Sequence, residues 1–175
     1  MEYGSAWLGA AIPASRLMAN LLGSSEHGLD DKGRLILPGR ILDSVAKADW
    51  EFVVTAGLDR CLLLHTKKGF QELVDRIGRA VPGSRAHRAL CRRFLGHSEA
   101  VVPDGNRRIR IPDPLLKYAG LAPGQQVTLV GLGQVCEIWS TEQLGTSLAE
   151  AGADEESLFA SLIEPTKPLA SVGGP

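Results

Sequence analysis

The residues best suited to chemistry form one short motif that occurs twice, an aspartate followed four residues later by an arginine. Asp30 and Arg34 form the first copy, and Asp104 and Arg108, 74 residues further along, form the second. An aspartate that opens a tight turn accepts hydrogen bonds from backbone N–H groups. The turn does not need the arginine, yet the arginine recurs at the same place. A guanidinium offers two parallel donors that match the edge of a guanine base.

A plain hairpin is the simpler interpretation of each copy, because most Asp-x-x-Gly sequences are only turns. Gly33 suits the left-handed position of a three-residue hairpin loop with a bulge. The second copy carries Arg107 where the first has Gly33. We therefore expect Gly105 and Asn106 to supply any positive φ in the second turn.

The repeat extends well beyond the motif and indicates two copies of one β-rich unit. Leu35 and Leu37 alternate as in a half-buried strand, and so do Ile109 and Ile111. A proline then ends each strand and suits the first turn of a helix. Each unit is predicted as strand, turn, strand, short helix, strand, turn, strand. The later strands align Val53-Val54 with Leu129-Val130 after an insertion of two residues, and Cys61 with Cys136 at a spacing of 75.

These patterns predict an α+β protein with two tandem β-rich units and helices between and after them. The helical bridge is indicated by apolar residues at helical spacing from Phe70 to Ile77 and again from Arg85 to Leu95, with a break at Val81-Pro82-Gly83. The predicted segments are an extension that lacks the repeat (1–21), unit one (22–67), the bridge (68–97), unit two (98–141), an acidic helical tail (142–163) and a disordered end (164–175). Residues 1–17 are expected to be dispensable, with Met18 as an alternative start.

The overall charge of −1 conceals an uneven distribution. Residues 24–97 carry 13 Lys and Arg against 9 Asp and Glu, whereas residues 142–175 carry 1 against 6. A basic body with an acidic tail is compatible with nucleic-acid binding even though the total is not basic. The four arginines of the bridge, at positions 85, 88, 92 and 93, favour a solvated face over a set of secondary phosphate contacts.

No constellation of residues indicates catalysis, and we predict that the protein is not an enzyme. His65, His87 and His97 are scattered, and no nucleophile and base share a suitable spacing. The three cysteines lack disulfide spacing, which favours a reduced cytosol. Cys61 and Cys136 are predicted as small buried hydrophobic residues. No cofactor and no metal are expected, and the N-terminal residues resemble neither a signal peptide nor a membrane span.

Several separate blocks of sequence resemble the MraZ family. The first is Glu26-His27-x-Leu29-Asp30-Asp31-Lys32-Gly33-Arg34-Leu35-x-x-Pro38. The others, in order, are Arg92-Arg93-Phe94-Leu95-Gly96-His97, Tyr118-Ala119-Gly120-Leu121, Val127-x-Leu129-Val130-Gly131 and Glu137-Ile138-Trp139-Ser140. The resemblance covers roughly residues 22 to 145, and it includes both copies of the Asp-x-x-x-Arg motif.

The resemblance implies a bacterial transcriptional regulator of the division and cell-wall gene cluster. Such proteins are built from two SpoVT-AbrB-like swapped-hairpin domains, close into homo-oligomeric rings and bind DNA through the repeated motif. We expect binding to direct repeats in promoter DNA, repression of the chain's own operon, and a cytoplasmic, nucleoid-associated protein. The predicted DNA-binding residues are Asp30, Lys32, Arg34, Asp104, Arg107, Arg108 and Arg110, in which Arg34 and Arg108 read guanine, the two aspartates position them and the remaining cations approach phosphates.

Two other functions remain open from the sequence. An oligomeric scaffold could use the Asp/Arg turns to hold subunits together. An AbrB-type antitoxin would share the fold, although such chains usually carry one hairpin unit and a toxin-binding tail. A gel shift against the upstream DNA separates a DNA-binding repressor from a scaffold.

Overall fold

A computed structural model describes residues 21–43, 45–79 and 83–163. The predicted N-terminal extension (apart from Leu21), the start at Met18 and the predicted disorder of 164–175 lie outside the described residues. The elements in chain order are β1 (Leu22–Gly28), β2 (Arg34–Ile36), α1 (Gly39–Leu42), a 3-10 turn (Lys47–Asp49), β3 (Phe52–Ala56), β4 (Leu62–Thr66), α2 (Lys67–Arg79), α3 (Arg85–Phe94), β5 (Glu99–Val101), β6 (Arg108–Arg110), α4 (Asp113–Tyr118), β7 (Gln126–Leu132), β8 (Cys136–Ser140) and α5 (Thr141–Ile163).

Antiparallel strands and helices combine as the sequence predicts, which confirms the α+β class. The chain divides into two compact units, one ending at Thr141 and the other beginning at Glu142. All eight strands of the described residues belong to the first unit.

The six-stranded sheet mixes strands from the two repeats. Its order is β1-β7-β8-β4-β3-β5, so that the first strand of each repeat pairs with the third strand of the other. The remaining strands, β2 and β6, leave this sheet and pair with each other. The hairpins are therefore exchanged between repeats within a single chain. The limits 22–67 and 98–141 of the two units remain predictions about sequence segments.

The strand registers follow a pseudo-two-fold relation between the repeats. At the centre of the β2–β6 pair, Leu35 lies opposite Ile109, its counterpart 74 residues later. The β4–β8 pair is likewise formed by equivalent strands, with Leu63 opposite Glu137. This symmetry brings the two Asp-x-x-x-Arg turns to the same region of the molecule.

The registers correct the sequence alignment of the later strands. Leu62 begins β4 and Cys136 begins β8, so the spacing there is 74 and Cys61 is not the counterpart of Cys136. In β3 and β7 the equivalent residues are Val54 and Leu129, after an insertion of one residue and not two. A slip of one residue moves a side chain to the opposite face of a sheet. Matching the two cysteines by identity produced that slip.

The hydrophobic core lies between the six-stranded sheet and the β2–β6 pair. Leu35 and Ile109 point into it and are fully buried. They meet alternate residues of the sheet, such as Phe52, Leu62 and Leu129, because successive strand residues face opposite sides. Both cysteines at 61 and 136 are buried, as predicted. The β2–β6 pair is thus attached by its inner side chains, and its outer side is turned away from the core.

The helical bridge occupies the other face of the sheet. The ring of Phe70 in α2 lies 5.9 Å from the imidazole of His65, which points away from the core, and Leu73 and Ile77 are buried beneath the helix. Helix α3 begins after Ser84, whose side chain caps the N–H of His87. The side chains of the bridge arginines at 85, 88, 92 and 93 are exposed, as a solvated face requires.

The second unit consists of α5 beyond its first residue. The helix begins at Thr141, one residue before the predicted start of the acidic tail, and its regular geometry breaks at Gly152. Leu148, Leu158, Phe159 and Leu162 are exposed. None of the helices in the described part of the chain is long and apolar enough to cross a membrane.

Candidate nucleic-acid interface

The first Asp-x-x-x-Arg motif is a closed turn held by one carboxylate. Oδ1 of Asp30 accepts hydrogen bonds from the backbone N–H groups of Lys32 and Arg34, each at 2.9 Å. Oδ2 of Asp30 accepts a hydrogen bond from Nε of Arg34 at 2.6 Å. One aspartate therefore shapes the loop and fixes the guanidinium that follows it.

The second motif repeats this geometry closely. Oδ1 of Asp104 accepts from the N–H groups of Asn106 and Arg108, at 2.9 and 3.0 Å. Oδ2 accepts from Nε and Nη2 of Arg108, at 2.9 and 2.7 Å. The same side chain-to-backbone contacts in both copies confirm that the aspartate opens each turn.

The left-handed residue of the second turn differs from the sequence prediction. Gly33 has φ +67° in the first turn, and Arg107, at the equivalent position, has φ +62°. Neither Gly105 nor Asn106 has a positive φ, so the expectation that these residues would supply it was wrong. The hydrogen bonds at both ends of the turn impose the conformation on Arg107, although a side chain makes it less favourable there.

Pairing of β2 with β6 places the two turns side by side. The carbonyl oxygen of Gly33 accepts from the N–H of Ile111 at 3.0 Å, and that of Arg107 accepts from the N–H of Leu37 at 2.9 Å. Nη1 of Arg108 lies 3.9 Å from Oδ2 of Asp30, which links the two motifs directly. The structure thus brings together the predicted site residues of two distant sequence segments.

We call residues 34–36 and 108–110 the ribbon. Its outer face carries Arg34, Ile36, Arg108 and Arg110, because Leu35 and Ile109 point inward. The side chains of Arg34 and Arg108 are only 28% and 24% exposed, whereas that of Arg110 is 67% exposed. Lys32 and Arg107 are exposed in the flanking turns. All seven predicted residues therefore lie on the ribbon or in its two turns.

Sequence reasoning missed Ile36 as part of this face. The residue is apolar and lies within an apolar run, which is more typical of a core position than of a binding site. The period-two alternation that places Leu35 inward also places Ile36 on the same side as Arg34. Its side chain is 51% exposed.

The carboxylates of the site remain ionised throughout the physiological range. Hydrogen bonds from the side chain and then the backbone of Arg108 lower the pKa of Asp104 to about 2. Desolvation raises the pKa of Asp30, but hydrogen bonds from the backbone and side chain of Arg34 outweigh it, so that the pKa is lowered. The hydrogen bond to Asp104 raises the pKa of the Arg108 guanidinium. The site therefore consists of fixed charges.

This arrangement can recognise an extended anionic ligand with donor and acceptor edges. Arg34 uses only Nε for its aspartate, which leaves both terminal nitrogens available as donors. Arg108 uses Nε and one N–H of Nη2 for Asp104, so the second N–H of Nη2 and those of Nη1, which lies 3.9 Å from Oδ2 of Asp30, remain as donors. A two-stranded antiparallel ribbon is narrow enough to enter the major groove of DNA. Across residues 21–43, 45–79 and 83–163, no group of three His, Cys, Asp or Glu side chains is placed to hold a metal ion.

Comparison with known proteins assigns the family. The model of the family "MraZ protein, putative antitoxin-like" matches residues 21–92 and again residues 94–162. A protein of Clavibacter michiganensis subsp. michiganensis named Transcriptional regulator MraZ is 37% identical over 147 residues, which are 84% of this chain and 96% of that protein. Proteins of the same name from Micrococcus luteus and Heliobacterium modesticaldum are 35% and 34% identical, over 84% and 82% of this chain and 96% of each relative. On two matched repeats and these identities, the chain belongs to the MraZ family.

Proposed function

We propose that this protein is a sequence-specific DNA-binding transcriptional regulator that places the ribbon in the major groove. The observation that carries the proposal is the pair of aspartate-held arginines, which the exchange of hairpins presents on one narrow cationic face. Arg34 and Arg108 contact guanine O6 and N7, while Lys32, Arg107 and Arg110 contact phosphates. The names of its relatives as transcriptional regulators support the same function.

Several copies of the ribbon act together in this proposal. One ribbon reads only a few base pairs, so a single copy binds weakly, and a ring of identical subunits gains affinity through effective concentration. The subunits of a ring face the groove in the same sense. The operator is then a set of direct repeats spaced by about one helical turn, roughly 10 bp. A ring lying across a promoter represses it, and the promoter is that of the chain's own division and cell-wall operon, in the cytoplasm at the nucleoid.

The site assignment is tested by removing each arginine. Arg34→Ala and Arg108→Ala should each weaken binding to the upstream DNA by about 5- to 150-fold, because a bidentate contact to guanine contributes ~1–3 kcal/mol. The melting temperature and oligomer size should stay unchanged, since partly exposed ion pairs stabilise little. Arg79→Ala is the matched control, because Arg79 is exposed on α2, at the opposite face of the sheet.

Gel shifts and light scattering on the same samples decide between the proposal and a scaffold. Unchanged DNA affinity in both variants would contradict the assignment of Arg34 and Arg108 to the DNA-binding site. Smaller oligomers with intact DNA binding would instead favour a scaffold in which the Asp/Arg turns are subunit contacts.

The tandem arrangement is tested on the DNA. Insertion of about 5 bp, half a helical turn, between the repeats should abolish tight binding, because neighbouring boxes then face opposite sides of the duplex. Affinity should also fall steeply with salt as phosphate contacts release counterions. Tight binding that survives the insertion, or a monomer at micromolar concentration, contradicts the multivalent mechanism.

A further inference from the structure

The outer face of the ribbon is symmetric except at one position. The pseudo-two-fold relation superposes Arg34 on Arg108, so these two arginines are equivalent. The same relation superposes Ile36 on Arg110, 74 residues later. An aliphatic side chain in one repeat thus takes the place of a guanidinium in the other.

This difference gives the two ends of the ribbon unlike chemistry. At one end Arg34 lies opposite Arg110, and at the other Ile36 lies opposite Arg108. Both variable residues are accessible, since Ile36 is 51% exposed and the Arg110 side chain is 67% exposed. Within the described part of the chain, Arg110 makes only a long ion pair with Asp113, at 3.5 Å, so its guanidinium is available to a ligand. The end with Arg34 and Arg110 therefore carries two cations, whereas the end with Ile36 and Arg108 carries one apolar side chain and one cation.

We propose that Ile36 is a specificity residue that contacts a thymine methyl group and that, with Arg110 on a phosphate at the opposite end, it gives each ribbon a direction on DNA. This inference rests on the proposed DNA-binding function. The structure supplies the observation behind it, an exposed isoleucine on the same face as the two aspartate-held arginines and within the same three-residue strand as one of them.

The chemistry of the major groove singles out thymine as the partner of an isoleucine. Guanine, adenine and cytosine present only donors and acceptors there, whereas thymine also presents its C5-methyl group. An aliphatic side chain over a donor or acceptor removes water from that group without replacing its hydrogen bond, which costs free energy. Ile36 therefore favours thymine and disfavours the other bases at one end of the box.

Direction follows from the broken symmetry. A fully symmetric ribbon would read a box equally well in either orientation. With Ile36 at one end and Arg110 at the other, reversal of the box places the thymine methyl beside a guanidinium. Each subunit consequently prefers one orientation, which suits boxes repeated head to tail.

The test removes the methyl group from the DNA without changing its base pairing. Each thymine of one box in the upstream DNA is replaced in turn by deoxyuridine, and affinity is measured by fluorescence anisotropy. One replacement per box should weaken binding of the unaltered protein about fourfold, the value expected for one buried methyl-sized group. Ile36→Ala should bind the two DNAs equally. Leu132→Ala is the control, because Leu132 is a similarly exposed aliphatic residue of β7, away from the ribbon.

Two further variants test the direction. Ile36→Arg makes the outer face symmetric, so this variant should bind an array with alternate boxes reversed about as well as the direct array, which the unaltered protein should not. Arg110→Ala should weaken binding equally on thymine and uracil DNA and reduce the salt slope by about one, as expected for a lost phosphate contact. Because both residues are exposed, the melting temperatures should remain close to that of the unaltered protein.

The outcomes separate the inference from the function on which it rests. If the unaltered protein binds the upstream DNA but no single uracil weakens binding, or if Ile36→Ala keeps the uracil sensitivity, the role of Ile36 is overturned and the proposed function stands. If the unaltered protein does not bind specific DNA at all, both are overturned.

Discussion

Each motif arginine lies in a conformation suited to binding before any ligand arrives. The aspartate partner holds the guanidinium by a charge-assisted hydrogen bond, at 2.6 Å from Nε of Arg34 and 2.7 Å from Nη2 of Arg108. A long side chain that is already fixed loses less conformational entropy when it binds. In the proposed function, the aspartates are therefore positioning residues that act on DNA through the arginines.

Asp104→Asn separates the positioning role from simple electrostatics. The variant removes a negative charge and should attract DNA more strongly if charge alone mattered. Because Arg108 loses its charged partner, we instead expect binding about tenfold weaker, the effect of a lost charge-assisted hydrogen bond. Affinity is measured at several salt concentrations.

Asp113→Asn serves as the control for that experiment. Asp113 makes only an exposed ion pair at 3.5 Å with Arg110, and such pairs contribute little. Its removal should leave affinity unchanged or slightly increased. Tighter binding by Asp104→Asn than by the unaltered protein would show that Asp104 does not position Arg108.

His65 gives the fold a dependence on pH. It is 7% exposed beneath α2, and its Nε2 has no hydrogen-bond partner among the described residues. Burial, followed by the nearby charge of Arg76, lowers its pKa to about 4. The unfolded chain, with a pKa near 6.5, binds the proton more readily. The contribution of neutral His65 to the free energy of unfolding is therefore fully present above about pH 6.5. As the pH drops towards 4, the free energy of unfolding falls by up to about 3 kcal/mol.

His65→Leu should remove most of this dependence. It should also raise the free energy of unfolding at pH 7 by about 1 kcal/mol, because an unpaired buried nitrogen is replaced by a group that needs no partner. Urea unfolding at pH 7, 6, 5 and 4.5 measures both effects. If the free energy of unfolding of His65→Leu depends on pH as steeply as that of the unaltered protein, other groups are responsible for the dependence. His27 contributes in the same direction, since burial and then Arg40 lower its pKa.

At the scale of the element, the two turns are the same structure built from different residues. An added Cβ at Gly33 would lie 2.8 Å from Cδ1 of Leu116, and φ there is +67°. Gly33→Ala should therefore destabilise the protein by about 1–2 kcal/mol. Arg107→Gly should raise the free energy of unfolding by up to about 1 kcal/mol, because glycine adopts a positive φ without steric cost.

The Arg107→Gly variant also separates the effect of this residue on stability from its effect on DNA binding. We expect Arg107→Gly to melt at a higher temperature and yet bind DNA more weakly, since it loses a proposed phosphate contact. Calorimetry and gel shifts on the same preparation measure both quantities. A lower melting temperature for Arg107→Gly would show that its side chain, and not its backbone, determines the stability of this turn.

Local patterns predicted the elements well but not their exact equivalence. The alternation of Leu35 and Leu37 identified β2, and the break at Val81-Pro82-Gly83 separated the two bridge helices. The first of these helices, α2, ends at Arg79, and the second, α3, begins at Arg85. The left-handed Arg107 was not predicted, because side-chain preference favours glycine and one of the hydrogen bonds that overrule this preference, from the N–H of Leu37, comes from the other repeat. The alignment of Cys61 with Cys136 was wrong by one residue for a related reason. The identity of two residues does not show which residues lie opposite each other in paired strands.

At the scale of the whole molecule, the exchange of hairpins makes one body from two repeats. The sequence indicated two copies of one β-rich unit, and it placed the seven site residues in or beside the two repeated motifs. It did not indicate that β2 pairs with β6, because a pairing between residues 72 to 76 positions apart leaves no local signal. That one pairing turns two separate motifs into a single ribbon.

The exchange also sets an order of events during synthesis. Strand β1 is complete at Gly28, but β7, its partner in the sheet among the described residues, extends from Gln126 to Leu132. A ribosome that adds 5–20 residues per second needs about 5–20 s to cover that interval. During this time the nascent chain exposes an unpaired edge that could join a neighbouring chain. We expect slow folding for such long-range pairing, so a polypeptide released before β7 has no native partner for β1 and is open to proteolysis. Translation through the second repeat is therefore required before β1 can pair with β7 and the six-stranded sheet can be completed.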